Sequence, residues 1–120
     1  MKKIIGISVN SLRELSQKDV GEIGAEGQDW QLVAFDYIRA IERNGGLPIL
    51  IPNIKSIEDM SLILEKVDGL LLSGGHDVNP RIYKERNSGK AGNFDNLRDQ
   101  QEIFMTEYAL ERDLPILGIC

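Results

Sequence analysis

Short apolar runs alternate along this chain with longer stretches that repeat at helical spacing. Residues 3–10 contain Ile4-Ile5-Gly6-Ile7, β-branched and apolar on both faces, which predicts a strand buried between two layers. Residues 11–29 are polar, carry Gly21, Gly24 and Gly27, and show no period. A connection this long inside one domain is usually functional or mobile, and its charged residues are expected to face solvent or to cover a site. Trp30, Val33, Ala34, Tyr37, Ile38 and Ile41 fall at i, i+3, i+4, i+7, i+8 and i+11, which predicts a helix capped by Asp29 and stopped at Gly45-Gly46. Leu47-Pro48-Ile49-Leu50-Ile51-Pro52 reads as a second buried strand, fenced by prolines. A helix over 56–67 follows, with Ser56 as cap and Ile57, Met60, Ile63, Leu64 and Val67 on one face. Gly69–Ser73 is a third strand ending in Gly74-Gly75, and residues 76–95 form a loop. A helix over 96–112 shows Leu97, Ile103, Phe104, Tyr108 and Leu110, and 114–120 is a fourth strand.

The order β, α, β, α, β, α, β predicts an α/β domain, a parallel sheet with helices on its faces. In such sheets, ligands bind beyond the carboxyl ends of the strands. The 11–29 loop, the 74–95 loop and Cys120 all lie at that edge.

Composition narrows the function classes. The chain has 120 residues, enough for one domain, with no internal repeat or linker. With 14 basic and 19 acidic residues, the net charge is −5, which argues against a nucleic-acid face. No run reaches the ~20 apolar residues of a bilayer span. The amino-terminal run is too short for a signal-peptide core, so the expected location is cytoplasmic and membrane-free. One cysteine allows neither an internal disulfide nor a cysteine metal cluster.

Two features carry chemistry. Gly74-Gly75 directly after a strand is either a tight turn or a pair of backbone N–H donors for an oxyanion. It is no Walker loop, and no Gly-x-Gly-x-x-Gly follows the first strand, so phosphate and dinucleotide cofactors have no support. Cys120 ends a strand reading Leu-Gly-Ile-Cys. Gly118-x-Cys120 is the first half of the Gly-x-nucleophile-x-Gly turn, though a free cysteine is also often a buried packing residue.

Taken together, these segments resemble a known family. Gly69-Leu-Leu-Leu-Ser-Gly-Gly-His-Asp-Val-Asn-Pro-Arg-Ile-Tyr83 is similar to the GGxDVxPxxY signature of the class I glutamine amidotransferase-like γ-glutamyl hydrolases, the relatives of γ-glutamyl-γ-aminobutyrate hydrolase. Asp95-x-x-Arg98-Asp99-x-x-Glu102 resembles that family's D-x-x-RD-x-x-E, and Leu114-Pro-Ile-Leu-Gly-Ile-Cys120 its nucleophile strand. Gly45-Gly46-Leu47-Pro48 also fits, and the motifs follow in order along the whole chain.

The resemblance implies a flavodoxin-like three-layer sandwich and a Cys-His-Glu triad that cleaves a γ-glutamyl amide through a thioester on Cys120. It implies a small γ-glutamyl molecule as partner and no metal or organic cofactor. Oligomeric state stays open, with a homodimer among the alternatives. Gly75 would give a backbone N–H to the oxyanion. Gly74, His76, Asp77, Arg98, Asp99 and Glu102 would bind substrate or shape the site. His76 stands at a variable position of the motif, so it is read as loop polarity or a substrate contact rather than as the base. Asp77 and Asn79 are read as shaping the turn into Pro80, and Tyr83 as packing the loop. Arg98, Asp99 and Glu102 are either an ordinary charge cluster opening a helix or a brace for the nucleophile region.

The sequence also departs from the family pattern. The family's catalytic His and Glu lie downstream of the nucleophile, and Lys84 stands where glycine is usual. Residues 1–120 thus correspond to the N-terminal part of one domain about twice as long, and are expected to be inactive alone, with the fourth strand an exposed edge. Rival readings are a glutaminase subunit feeding ammonia to a synthetase, and a non-catalytic α/β binding module. Gly75→Val is expected to slow turnover with little loss of stability.

Overall fold

The computed structural model describes residues 1–12, 24–75, 80–84 and 95–120. In chain order the elements are β1 (Ile4–Ser8), β2 (Asn10–Leu12), β3 (Trp30–Leu32), α1 (Phe35–Arg43), β4 (Leu47–Ile51), α2 (Ile57–Leu64), β5 (Gly69–Leu72), a 3-10 turn (Pro80–Tyr83), α3 (Asn96–Glu111) and β6 (Ile116–Gly118).

Four of these strands form one parallel sheet in the order β4-β1-β5-β6. β1 and β5 take the centre. β4 is an edge strand, not the buried one expected, and Leu47, Ile49 and Leu50 are exposed. Pro48 lies inside it, paired with Ile5. Proline has no N–H for a ladder, so it is tolerated where one side of the strand is unpaired. β6 forms the opposite edge.

Helices lie on both faces, giving the three-layer α/β sandwich that the alternation predicts. On one face α1 packs through Ile41 onto Ile7 and Leu71, with Val33, Tyr37 and Ile38 around them. On the other, α2 and α3 bury Met60, Leu64, Met105, Tyr108 and Ala109 against Ile51, Val67 and Leu70. Leu70 and Leu71 thus serve opposite layers, as neighbouring strand residues must. Met60, Leu64 and Met105 are at most 1% exposed, and each such side chain contributes roughly 1.5–3 kcal/mol by leaving water. Leu110, expected on the apolar face of α3, is exposed instead.

Helix starts follow local chemistry. The Ser56 hydroxyl accepts from the Asp59 N–H at 3.1 Å, and the Asp95 carboxylate from the Arg98 N–H at 3.1 Å. The first helix begins later than its periodicity predicts. Trp30 belongs to β3, which pairs antiparallel with β2 through Asn10↔Leu32 and Leu12↔Trp30. The 11–29 segment is therefore bounded by a two-stranded ribbon, and Ala34, not Asp29, precedes the helix without a side-chain cap. Half-buried Trp30 lies over Gly24, where a Cβ would overlap the indole. Among the described residues no helix is long and apolar enough to cross a membrane.

Candidate active site

The carboxyl ends of β5 and β6 bring the two chemistry-bearing segments together. Leu72 pairs with Gly118, and the Ile119 N–H donates to the Leu72 carbonyl at 3.0 Å. Continuing that register sets Cys120 beside Gly74. A Cβ placed on Gly74 would lie 3.3 Å from the Cys120 Cβ, so only glycine leaves the cysteine room at ordinary contact distance. Cys120, the last of the 120 residues, is exposed here.

The bend itself is pinned from three sides. The Ser73 N–H donates to the Ser8 hydroxyl oxygen at 2.9 Å, and the Ser73 hydroxyl donates to the Ser8 carbonyl at 2.7 Å. From α1, the Tyr37 hydroxyl oxygen accepts the Gly74 N–H at 3.0 Å. From β2, the Asn10 side-chain N–H donates to the Gly74 carbonyl at 3.1 Å. Gly75 is exposed, and among the described residues nothing accepts from its N–H.

Arg98 ties this bend to α3. Only 2% exposed, its guanidinium donates to the Ser73 carbonyl, to the Ser73 hydroxyl at 3.2 Å and to the Asn10 side-chain carbonyl. Its Nε, at 2.9 Å, and its Nη2, at 2.8 Å, also meet Glu102. The i,i+4 pair expected of a charge cluster is present, yet the arginine also leaves its helix to hold the glycine bend. The Asp95 cap starts the helix so that position 98 faces the sheet end. Asp99 is buried in the same first turn, 4% exposed.

Two expectations change. A Cβ on Gly75 would overlap both Asn10 Oδ1 and Arg98 Nη1, so Gly75→Val must displace a buried network and is expected to cost stability. Tyr83, expected to pack the loop, is exposed. His76, Asp77 and Asn79 lie outside the described residues.

Sequence reasoning missed Asn10, Tyr37 and the Ser8–Ser73 pair. Asn10 ends an apolar run, and Tyr37 sits on an apolar stripe where its ring packs and its hydroxyl reaches past the core. An apolar groove of about 570 Å³ opens at the amino ends of the strands, lined by Lys3, Ile5, Ile41, Gly46, Pro115 and Leu117, away from this chemistry.

Residues 3–120 match the family described as Peptidase C26. The chain belongs to that family. It is 35% identical over 99 residues to γ-glutamyl-γ-aminobutyrate hydrolase PuuD of Escherichia coli (strain K12), covering 79% of this chain and 37% of that protein. Over 120 residues it is 30% identical to a Rickettsia prowazekii (strain Madrid E) protein, RP404, whose name calls it glutamine amidotransferase-like, covering 99% of this chain and 40% of that protein. Protein NtpR of Enterococcus hirae is 29% identical over 120 residues, covering 100% of this chain and 47% of its own. The chain spans less than half the length of these relatives. Membership of the Peptidase C26 family agrees with the parallel sheet and with the motifs at its carboxyl edge.

Proposed function

We propose that Cys120 is the nucleophile of a γ-glutamyl amide hydrolase. One observation carries this reading: the strand end at Cys120 lies against a glycine bend that hydrogen bonds from four elements hold in place. In the proposed reaction the thiolate attacks the γ-amide carbon, and the C–N bond breaks as the amine leaves with a proton. Water then hydrolyses the γ-glutamyl thioester, releasing glutamate and the thiol. The exposed Gly75 N–H donates to the oxyanion of each tetrahedral intermediate. Names among the relatives support γ-glutamyl-γ-aminobutyrate or glutamine as the substrate class. The histidine that protonates the amine and activates water comes, in this reading, from the part of the family's length that residues 1–120 do not span. Those residues alone are therefore inactive.

The test uses the full reading frame that encodes these residues, with γ-glutamyl-γ-aminobutyrate and glutamine as substrates. Hydrolysis should vanish in Cys120→Ala, and a γ-glutamyl adduct should be found by mass spectrometry on Cys120 of the wild type. Turnover near the wild-type rate in Cys120→Ala would remove this cysteine as the nucleophile.

A further inference from the structure

We infer that Asn10 is a positioning residue for the oxyanion donor: its amide, fixed by the buried charge of Arg98, holds the Gly74 carbonyl and thereby aims and strengthens the Gly75 N–H. This deepens the hydrolase reading and rests on it.

The geometry begins with the amide's orientation. One end of the Asn10 side chain faces the Arg98 guanidinium, which can only donate, and the other faces the Gly74 carbonyl, which can only accept. A single orientation makes both contacts hydrogen bonds, with Oδ1 toward arginine and Nδ2 toward glycine. An aspartate could satisfy the first contact but not the second.

Gly74 C=O and Gly75 N–H belong to one planar peptide unit and point in opposite directions. Holding the carbonyl therefore fixes the direction of the N–H. It also polarises the unit, because a hydrogen bond accepted at the carbonyl makes the N–H a better donor. The chain of contacts runs from Glu102 to Arg98, to Asn10, to the Gly74 carbonyl, to the Gly75 N–H. Its members come from α3, from β2 and from the end of β5, so tertiary packing sets the direction of one backbone donor. Tyr37 occupies the neighbouring Gly74 N–H, whereas among the described residues nothing accepts from Gly75.

A brace for stability alone would not separate kcat from KM, and this supplies the test. In the full reading frame, Asn10→Asp keeps the volume and the arginine contact but cannot donate to Gly74. Asn10→Leu removes both contacts without adding charge. Each should lower kcat on the order of tenfold or more with KM within about twofold, since the oxyanion exists only beyond the ground state. The Gly75 amide proton should shift upfield in both NMR spectra. Wild-type kcat in folded Asn10→Asp would overturn the proposal, even if Asn10→Leu fails to fold. Cys120→Ala, assayed in parallel, separates the two ideas. If it is inactive while the Asn10 variants turn over normally, this inference alone fails. If it remains active, the hydrolase reading of the site fails first.

Discussion

The Tyr37 hydroxyl oxygen accepts the Gly74 N–H at 3.0 Å, so a helix on one face of the sheet holds the bend that closes the central strands. The same ring packs in the small core beneath α1, with Ile7 and Leu71. Tyr37→Phe keeps that packing and deletes one acceptor. The half-buried Gly74 N–H is then left unpaired, at a cost of about 1 kcal/mol. Urea unfolding should show a lower midpoint with an unchanged slope. An unchanged midpoint would mean that water replaces the phenol freely.

Gly75 and Gly118 provide a matched comparison along the same edge. A Cβ on Gly75 overlaps Asn10 and Arg98, whereas one on Gly118 meets nothing within 4 Å among the described residues. Gly75→Ala should destabilise the protein by about 1–3 kcal/mol, as overpacking does, because the arginine is too firmly held to step aside. Gly118→Ala should stay within about 0.5 kcal/mol of wild type. Equal effects, measured by denaturant melts of the two variants, would show that the network yields to the added methyl.

Much of this architecture is legible in the chain because its strands and helices announce themselves at different periods. β1, β5 and β6 are apolar runs next to turn residues, and α2 and α3 carry real caps at Ser56 and Asp95. Where reading failed, tertiary contacts had replaced local signals. Trp30 fits the helical stripe by spacing, yet Gln31 beside it is held by Asn53, and that contact favours a strand. β2 and β3 have three residues each and include Asn10, Ser11 and Gln31, too few and too polar to register as strands. Pro48 reads in the sequence only as a fence to a buried strand, whereas a proline inside a ladder favours an edge, where β4 lies. Of the candidate site, Cys120, Gly74, Gly75 and Arg98 stand in motifs, while Asn10 gains its place only when β2 folds over the sheet end.

Arg98 offers a stability test that does not depend on turnover. It is 2% exposed and bridges Ser73, Asn10 and Glu102. Arg98→Met fills similar space but strands the Ser73 carbonyl and the Asn10 amide, each about 1–3 kcal/mol when buried without a partner. Arg98→Lys keeps the charge and reaches fewer of these groups, so its loss should be smaller. If lysine and methionine destabilise equally in denaturant melts, the fork geometry of the guanidinium, rather than its charge, decides.

Accessibility of Cys120 can be read directly. An exposed thiol reacts with a disulfide reagent in the native protein, whereas a packed one waits for unfolding. Without denaturant, wild type should react with one equivalent more than Cys120→Ala. Labelling that appears only in denaturant would place the sulfur in the interior.

The last prediction concerns how the β2–β3 ribbon is anchored. The Gln31 side-chain N–H donates to the Asn53 carbonyl at 3.0 Å, and its side-chain carbonyl accepts the Asn53 N–H at 2.6 Å. Asn53, 4% exposed, donates in turn to the Val9 carbonyl at 3.2 Å. One glutamine thus satisfies both backbone groups of a buried residue just past β4. Gln31→Leu removes both bonds at once and should cost about 1–3 kcal/mol, more than a surface change allows. Because β2 also carries Asn10, loosening the ribbon should reach the glycine bend. Hydrogen exchange at Gly74 and Gly75 should therefore accelerate in Gln31→Leu while exchange in β1 stays slow. Uniform acceleration across the sheet would mean that the ribbon opens only when the whole domain does.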